Sequence, residues 1–273
     1  MDAHSSNGIT YYTFATLAGH REVVHGAFGR HGGLSRGRFG SLNGSLAVGD
    51  DPATVVANRR LMCEALGITY ERLVWAKQVH SAEVFTLVGG PGSPDPEQWR
   101  ALLPNCDGLI TAVPDLFIMM TFGDCVPLLF YDPSHSAIGL AHGGWRGTVG
   151  GIAARTVESF VKSFGSNPGE LMVGLGPSIG PCCYQIGEDV ITAVMGSLPD
   201  PDAALIRQAS GSVHFDLWEA NRQLLVRAGV VEANIELAGL CTACNTDRFF
   251  SNRAERGNTG RFGVIVGLRR EYG

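Results

Sequence analysis

Apolar runs of six or seven residues, separated by glycine-rich punctuation, recur along the chain: VVHGAF at 23–28, LVWAKQV at 73–79, AEVFTLV at 82–88, GLITAV at 108–113, FIMMTF at 117–122, VPLLFYD at 126–132, AIGLAHG at 137–143, LMVGLGP at 171–177, NIELAGL at 234–240 and GVIVGL at 263–268. Runs of this length fit strands. Many are apolar at successive positions rather than at alternate ones, so both faces of their sheets should be covered. Three segments carry helical periodicity instead. DPATVVANRRLMCEALG at 51–67 has Asp51 as its cap and Gly67 as its stop, TVGGIAARTVESFVKSFG at 148–165 follows HGGWRG directly, and FDLWEANRQLLVRAGV at 215–230 has Asp216 as its cap.

Doubly apolar strands interleaved with a few amphipathic helices predict a mixed α/β layered fold. The best linker candidate is the Pro/Gly-rich, acidic GGPGSPDPEQWRALLPN at 89–105. Strand signals of one kind continue on both sides of it, so it is expected to be a surface excursion within a single domain spanning 1–273.

Composition narrows the partners. A net charge of −5 and a pI near 5.9, with no block of Lys or Arg, argue against nucleic acid or an anionic membrane and favour small neutral or anionic ligands. The N-terminus lacks a basic segment followed by an apolar run, and LFIMMTF is far too short to span a bilayer, so a cytoplasmic location is expected. Seven cysteines, an odd number at scattered spacings, suit reduced thiols better than a disulfide framework.

Three motifs place possible metal ligands at strand edges: KQVH at 77–80, GDC at 123–125 and AHGGWRG at 141–147. His80, Cys125 and His142 would give two imidazoles and a thiolate, a set that suits zinc with a fourth position open. Separations of 45 and 17 residues do not themselves bring the three together, and a buried core histidine with a packing cysteine is the ordinary alternative. HGGWRG also reads as an anion site: glycines admit a ligand to the backbone, Arg146 offers a planar fork, and a helix starting near Thr148 would add its positive end. The alternative is a Gly-rich turn with a surface arginine. GLGPSIGPCCYQIG at 174–187 could close over the same pocket, with Tyr184 stacking or hydrogen-bonding and Cys182 and Cys183 as buried packing. No phosphate loop of the GxxxxGK[ST] type occurs. The CxxC at 241–244 could complete a four-thiolate zinc site with Cys182 and Cys183, but a Cys-Cys dipeptide is an unusual second knuckle, and a simple turn is the favoured expectation.

Taken together, KQVH, GDC and AHGGWRG resemble the YfiH/YlmD family, labelled variously as multicopper polyphenol oxidases, laccase-domain proteins and peptidoglycan editing factors. The similarity runs nearly end to end, through GRHGGLSRGRFGSLN at 29–43, VGDDPATVVANRR at 48–60, WAKQVH at 75–80, CDGLIT at 106–111, FGDCVPLLFYD at 122–132, AIGLAHGGWRGTVGGI at 137–152, GLGPSIGPCCYQIG and the segment 241–268. The resemblance implies a single-domain α/β/β/α sandwich and a zinc site of His80, Cys125 and His142. It also implies phosphorolysis of adenosine, inosine, guanosine and methylthioadenosine, with adenosine deamination beside it. Departures at His31 and at Asn252 bear on substrate preference.

For that chemistry Asp124 is the candidate to move protons and Arg146 the candidate phosphate clamp. Arg59, Arg253 and Arg261 are further clamp candidates, and Asn43 and Gln78 could position ribose or base. Three rivals remain. A laccase needs many imidazoles, commonly in His-x-His pairs, and the eight histidines at 4, 20, 25, 31, 80, 135, 142 and 214 contain no such pair; adventitious Cu2+ at the three-ligand site is compatible with the affinity order. A thiol hydrolase would use Cys125 as nucleophile and His142 as base. A peptidoglycan-precursor substrate is the third.

Overall fold

The computed structural model describes residues 1–90 and 95–270. Its strands are numbered β1 to β15 in chain order. One six-stranded sheet contains β1 (Asp2–Ser6), β2 (Ile9–Thr13), β3 (Val23–Phe28), β15 (Phe262–Leu268), β7 (Phe117–Phe122) and β4 (Leu73–Val74), in that spatial order. A second contains β14 (Ile235–Leu237), β10 (Met172–Leu175), β8 (Val126–Asp132), β9 (Ala137–Gly143), β6 (Gly108–Thr111) and β5 (Val84–Leu87). A small third sheet joins β11 (Gln185–Ile186), β13 (Val213–Phe215) and β12 (Leu205–Arg207).

The layering follows from side-chain alternation along doubly apolar strands. On β7, Ile118, Met120 and Phe122 face the second sheet, joining Leu129 and Tyr131 of β8 and Leu140 of β9 in one core. Phe117 and Met119 face the other way, onto Met62 and Cys63 of the helix Pro52–Ala65. Leu128 and Phe130 of β8 likewise turn outward, onto Val157 and Phe160 of the helix Ile152–Phe164 and Leu224 of the helix Leu217–Arg227. Helices therefore cover both outer faces, the expected α/β/β/α sandwich. Each buried Leu or Phe contributes about 1.5–3 kcal/mol, against about 1 kcal/mol for a helix cap, so two-sided burial sets the order of layers. Gly174 lets the sheets close: a Cβ there would lie 2.6 Å from the Phe14 ring.

Two helix caps match the sequence expectation: Asp51 accepts from the Thr54 amide at 2.8 Å, and Asp216 from the Trp218 and Glu219 amides at 2.9 and 3.0 Å. Other elements differ. The helix expected over 148–165 is two helices, Trp145–Val149 and Ile152–Phe164, broken where Gly151 takes φ 81°. The run LVWAKQV is a strand only at Leu73–Val74. An N-terminal hairpin pairs Asp2–Ser6 with Ile9–Thr13 around Asn7-Gly8, both at positive φ, the conformation that an Asn-Gly turn favours. Within 89–105, residues 91–94 lie outside the described residues; beyond them Pro96–Leu102 is a helix that buries Trp99, so that part is not merely a surface excursion. Strands from both sides of the segment pair with each other, β5 with β6 in parallel.

Candidate metal and active site

Sheet register assembles most of the site. Strands β8 and β9 are antiparallel, with Val126 opposite Gly143 and Pro127 opposite His142, so Cys125, just before β8, comes level with the end of β9. On the other side of β9, Gly108 of β6 pairs with Ala141, and the His142 amide donates to the Asp107 carbonyl at 2.8 Å. Three neighbouring strand ends thus present Cys125, His142 and Asp107 in a row. His80 arrives from the irregular stretch between β4 of the first sheet and β5 of the second.

Asp107 binds this stretch to the row. Its fully buried carboxylate accepts the amides of Val79, His80 and Ser81 at 3.1, 3.0 and 2.7 Å, the Ser81 hydroxyl at 2.8 Å, and His142 Nδ1 at 2.9 Å. His80 holds the left-handed φ of 61° that this bend requires. Burial by itself would raise the Asp107 carboxyl, but the bonds from His142 and Ser81 hold it down at about 2. One carboxylate therefore fixes the backbone at His80 and the ring of His142, and engaging His142 through Nδ1 leaves its Nε2 for Cys125.

The ligand atoms of His80, Cys125 and His142 all lie within 4.8 Å of one another, and the two rings meet edge to face at 4.8 Å between centroids. Burial opposes charge on both Cys125 and His142, yet their mutual attraction wins: the thiol falls to about 6 and the imidazole rises to about 9. The residues fit a divalent metal on structural grounds. They supply two imidazoles and a readily ionised thiol, and a buried carboxylate fixes one ring nitrogen, the usual outer support of a metal-ligating histidine.

These groups border a cavity of about 860 Å³ that Arg59, Gln78, Asp124, Arg146, Tyr184, Arg253 and Arg261 also line. Asn43, expected at the ligand, is not among its walls. Its Oδ1 accepts from the Ser45 and Arg261 amides and its Nδ2 donates to Ser45 O and Asp50, so it braces a turn behind Arg261. Gln78 does line the cavity, but its amide exchanges two hydrogen bonds with the Thr121 backbone, prolonging the short β4 edge. Asp124 lines the cavity too and braces it: Oδ1 accepts from the Thr242 hydroxyl at 2.7 Å and Oδ2 from the Arg253 amide at 2.6 Å.

Of the arginines, Arg253 donates to Gln185 O and packs over Tyr184, while Arg261 bonds Gly260 O and Asn252. Arg146 sits on the short helix Trp145–Val149, in its last turn rather than before a long helix, and stacks on Trp145; the helix-dipole argument for an anion there does not hold. Arg59, also a clamp candidate, is the buried one. It is 4% exposed, donates Nε to Gly44 O, stacks on Trp75 and keeps Nη1 without a partner. Burial lowers it to about 10, and it remains a cation.

Asp107 was not among the expected site residues, although it stands in CDGLIT at 106–111. Its signal was an acid directly preceding an apolar strand, a position where a buried carboxylate must find several donors. Cys182 and Cys183, expected as buried packing, are exposed and half-buried, and their sulfurs gather with those of Cys241 and Cys244.

Residues 24–269 match the family model described as multi-copper polyphenol oxidoreductase laccase. Among similar proteins, purine nucleoside phosphorylase YlmD of Geobacillus stearothermophilus is 40% identical over 92% of this chain and 92% of its own. An adenosine deaminase from an unknown prokaryotic organism is 33% identical over 86% of this chain and 89% of its own. The crystal structure of YlmD from Geobacillus stearothermophilus superposes with a TM-score of 0.88 at 37% identity, covering 98% of both chains. That of YfiH from Bacillus licheniformis gives 0.87 at 36%, covering 97% of both. The chain thus belongs to the laccase-described family and shares its fold with YlmD and YfiH.

Proposed function

We propose that the chain is a zinc-dependent purine nucleoside phosphorylase acting on adenosine, inosine, guanosine and methylthioadenosine, with adenosine deamination as a second activity. The observation that carries this is the His80–Cys125–His142 cluster, oriented by Asp107, opening into a cavity walled by arginines. The names of the similar proteins support the choice of substrate class.

In phosphorolysis a phosphate oxygen bonds to C1′ as the C1′–N9 bond breaks and its electron pair leaves with the purine. The protein must hold a multiply charged anion against the ribose and keep water away. Arg59 has the strongest claim to the phosphate, because a buried guanidinium nitrogen without a partner is costly until an anion takes it up. Arg146 stands at the cavity wall, and no carboxylate among the described residues pairs with it. Tyr184 offers a ring on which a purine can stack, with Arg253 behind it. His80, Cys125 and His142 would hold zinc, and the ion supplies Lewis acidity when bound, polarising an oxygen or lowering the pKa of a water. Cu2+ would also bind such a donor set adventitiously. Among the described residues, potential ligands gather in only two places, and the other six histidines join neither, which disfavours a multicopper centre.

Product analysis by mass after incubation with adenosine, with and without phosphate, tests the proposal. Adenine and ribose-1-phosphate formed only with phosphate are expected, together with some inosine. No turnover of any purine nucleoside overturns it. The thiol-hydrolase alternative draws on the Cys125–His142 pairing, since such a pair also describes an activated nucleophile. Iodoacetamide separates the two: zinc ligation protects Cys125 until a chelator is added, whereas a free nucleophile is labelled equally under both conditions.

A further inference from the structure

Away from the cavity's histidines, the sulfurs of Cys182, Cys183, Cys241 and Cys244 all lie within 4.8 Å of one another. Cys244 Sγ is 3.6 Å from that of Cys182 and 3.3 Å from that of Cys183. A tetrahedral zinc site with Zn–S bonds of about 2.3 Å has sulfur–sulfur edges of about 3.8 Å, so the four thiols stand close to the corners such an ion would impose. Apolar packing accounts for Cys241 and in part for Cys183, which join the neighbouring core, but not for Cys182 and Cys244, which are exposed where packing cysteines are buried.

The backbone is built to present them. Cys182 and Cys183 lie on a turn in which the amides of Cys183 and Tyr184 donate to Gly180 O. Cys241 and Cys244 lie on another, with the Asn245 amide donating to Cys241 O. Parallel bridging joins the turns: the Ser178 amide donates to Leu240 O, and the Thr242 amide to Ser178 O. The Gly180 amide also donates to Cys241 Sγ at 3.2 Å, a bond that favours a charged sulfur.

We propose that Cys182, Cys183, Cys241 and Cys244 bind a second, structural zinc ion, independent of the His80–Cys125–His142 site. Four protein ligands close the coordination sphere, so this ion does no chemistry. Its place in the fold gives it a use. It clips segment 178–184 to segment 241–245; the first leads directly into Tyr184, and the second runs on to Arg253, which reaches back to Gln185 O at 2.9 Å. Both residues border the cavity. The clip holds that wall together, whatever the cavity binds.

The test is metal analysis of the full chain, expressed with zinc and purified under reductant. Two zinc ions per chain are expected in the wild type and one in His142→Ala. The Cys182→Ser/Cys244→Ser double variant should also retain one, the ion held by His80, Cys125 and His142. Should that double variant fail to fold, His142→Ala reconstituted with Co2+ decides alone, by showing the intense sulfur-to-cobalt charge transfer of a tetrathiolate site. A single zinc per wild-type chain that vanishes in His142→Ala overturns the proposal. So does iron in place of the second zinc, or a thiol count showing two of the four cysteines joined as a disulfide with no metal present. None of these three results touches the proposed activity, which the adenosine assay tests separately.

Discussion

Asp107 shows how much one side chain can decide. Five donors converge on it from two segments, tying the backbone at His80 to the ring of His142. Asp107→Asn keeps the volume but turns an amide NH2 toward those donors. Zinc affinity at the three-ligand site should fall by about 10–100-fold, measured by competition with a chromophoric chelator; unchanged affinity would remove Asp107 from its supporting place. A second residue-scale consequence concerns His25, which is buried and accepts the Phe14 amide on Nε2 at 2.8 Å. Burial holds its pKa at about 4 instead of 6.5. Between those two pH values the unfolded chain binds a proton that the folded chain refuses, so stability rises with pH through the window and falls on acidification. The His25 contribution is at most about 1.4 kcal/mol per pH unit. Urea denaturation across the window should give a steeper dependence for the wild type than for His25→Gln, whose amide oxygen can still accept the Phe14 bond.

At the scale of elements, the β6–β9–β8 register brings positions far apart in sequence to one sheet edge. The expectation for 148–165 failed because periodicity continues across Gly150-Gly151, whereas the backbone does not: a left-handed Gly151 resets the helix axis. Gln78 and Asn43 were attractive as ligand contacts because polar residues beside motifs look unassigned. In the fold they complete hydrogen bonds that a short strand and a turn leave open. Sheet spacing carries its own prediction. Any side chain at Gly174 must enter the Phe14 ring, so Gly174→Val should cost about 1–3 kcal/mol by overpacking, seen as a lower urea midpoint at unchanged slope. A neutral result would mean that the two sheets are free to separate locally.

For the whole molecule, both outer sheet faces lie under helices, and the space left between strand ends and loops forms the cavity. If the His80–Cys125–His142 site holds zinc as proposed, dialysis against a strong chelator should abolish nucleoside turnover and lower the thermal midpoint, and zinc, not magnesium, should restore both. Activity that survives complete zinc removal would exclude the metal from the reaction. The layered α/β class, most strands of the two main sheets and the two capped helices were legible in the sequence, because they depend on local apolar patterning and on cap side chains within three residues of the amides they bind. The N-terminal hairpin was legible too, in Asn7-Gly8, but went unread. The resemblance named the three candidate ligands that the fold brings together; their spacing could not. Only the tertiary structure decided that Asp107 joins them, that Asp124 is a brace, that Arg59 keeps an unpaired nitrogen and that four cysteines meet. Each of these depends on which strand ends and loops become neighbours, and that follows from long-range packing of interchangeable apolar side chains, which leaves no periodic trace along the chain.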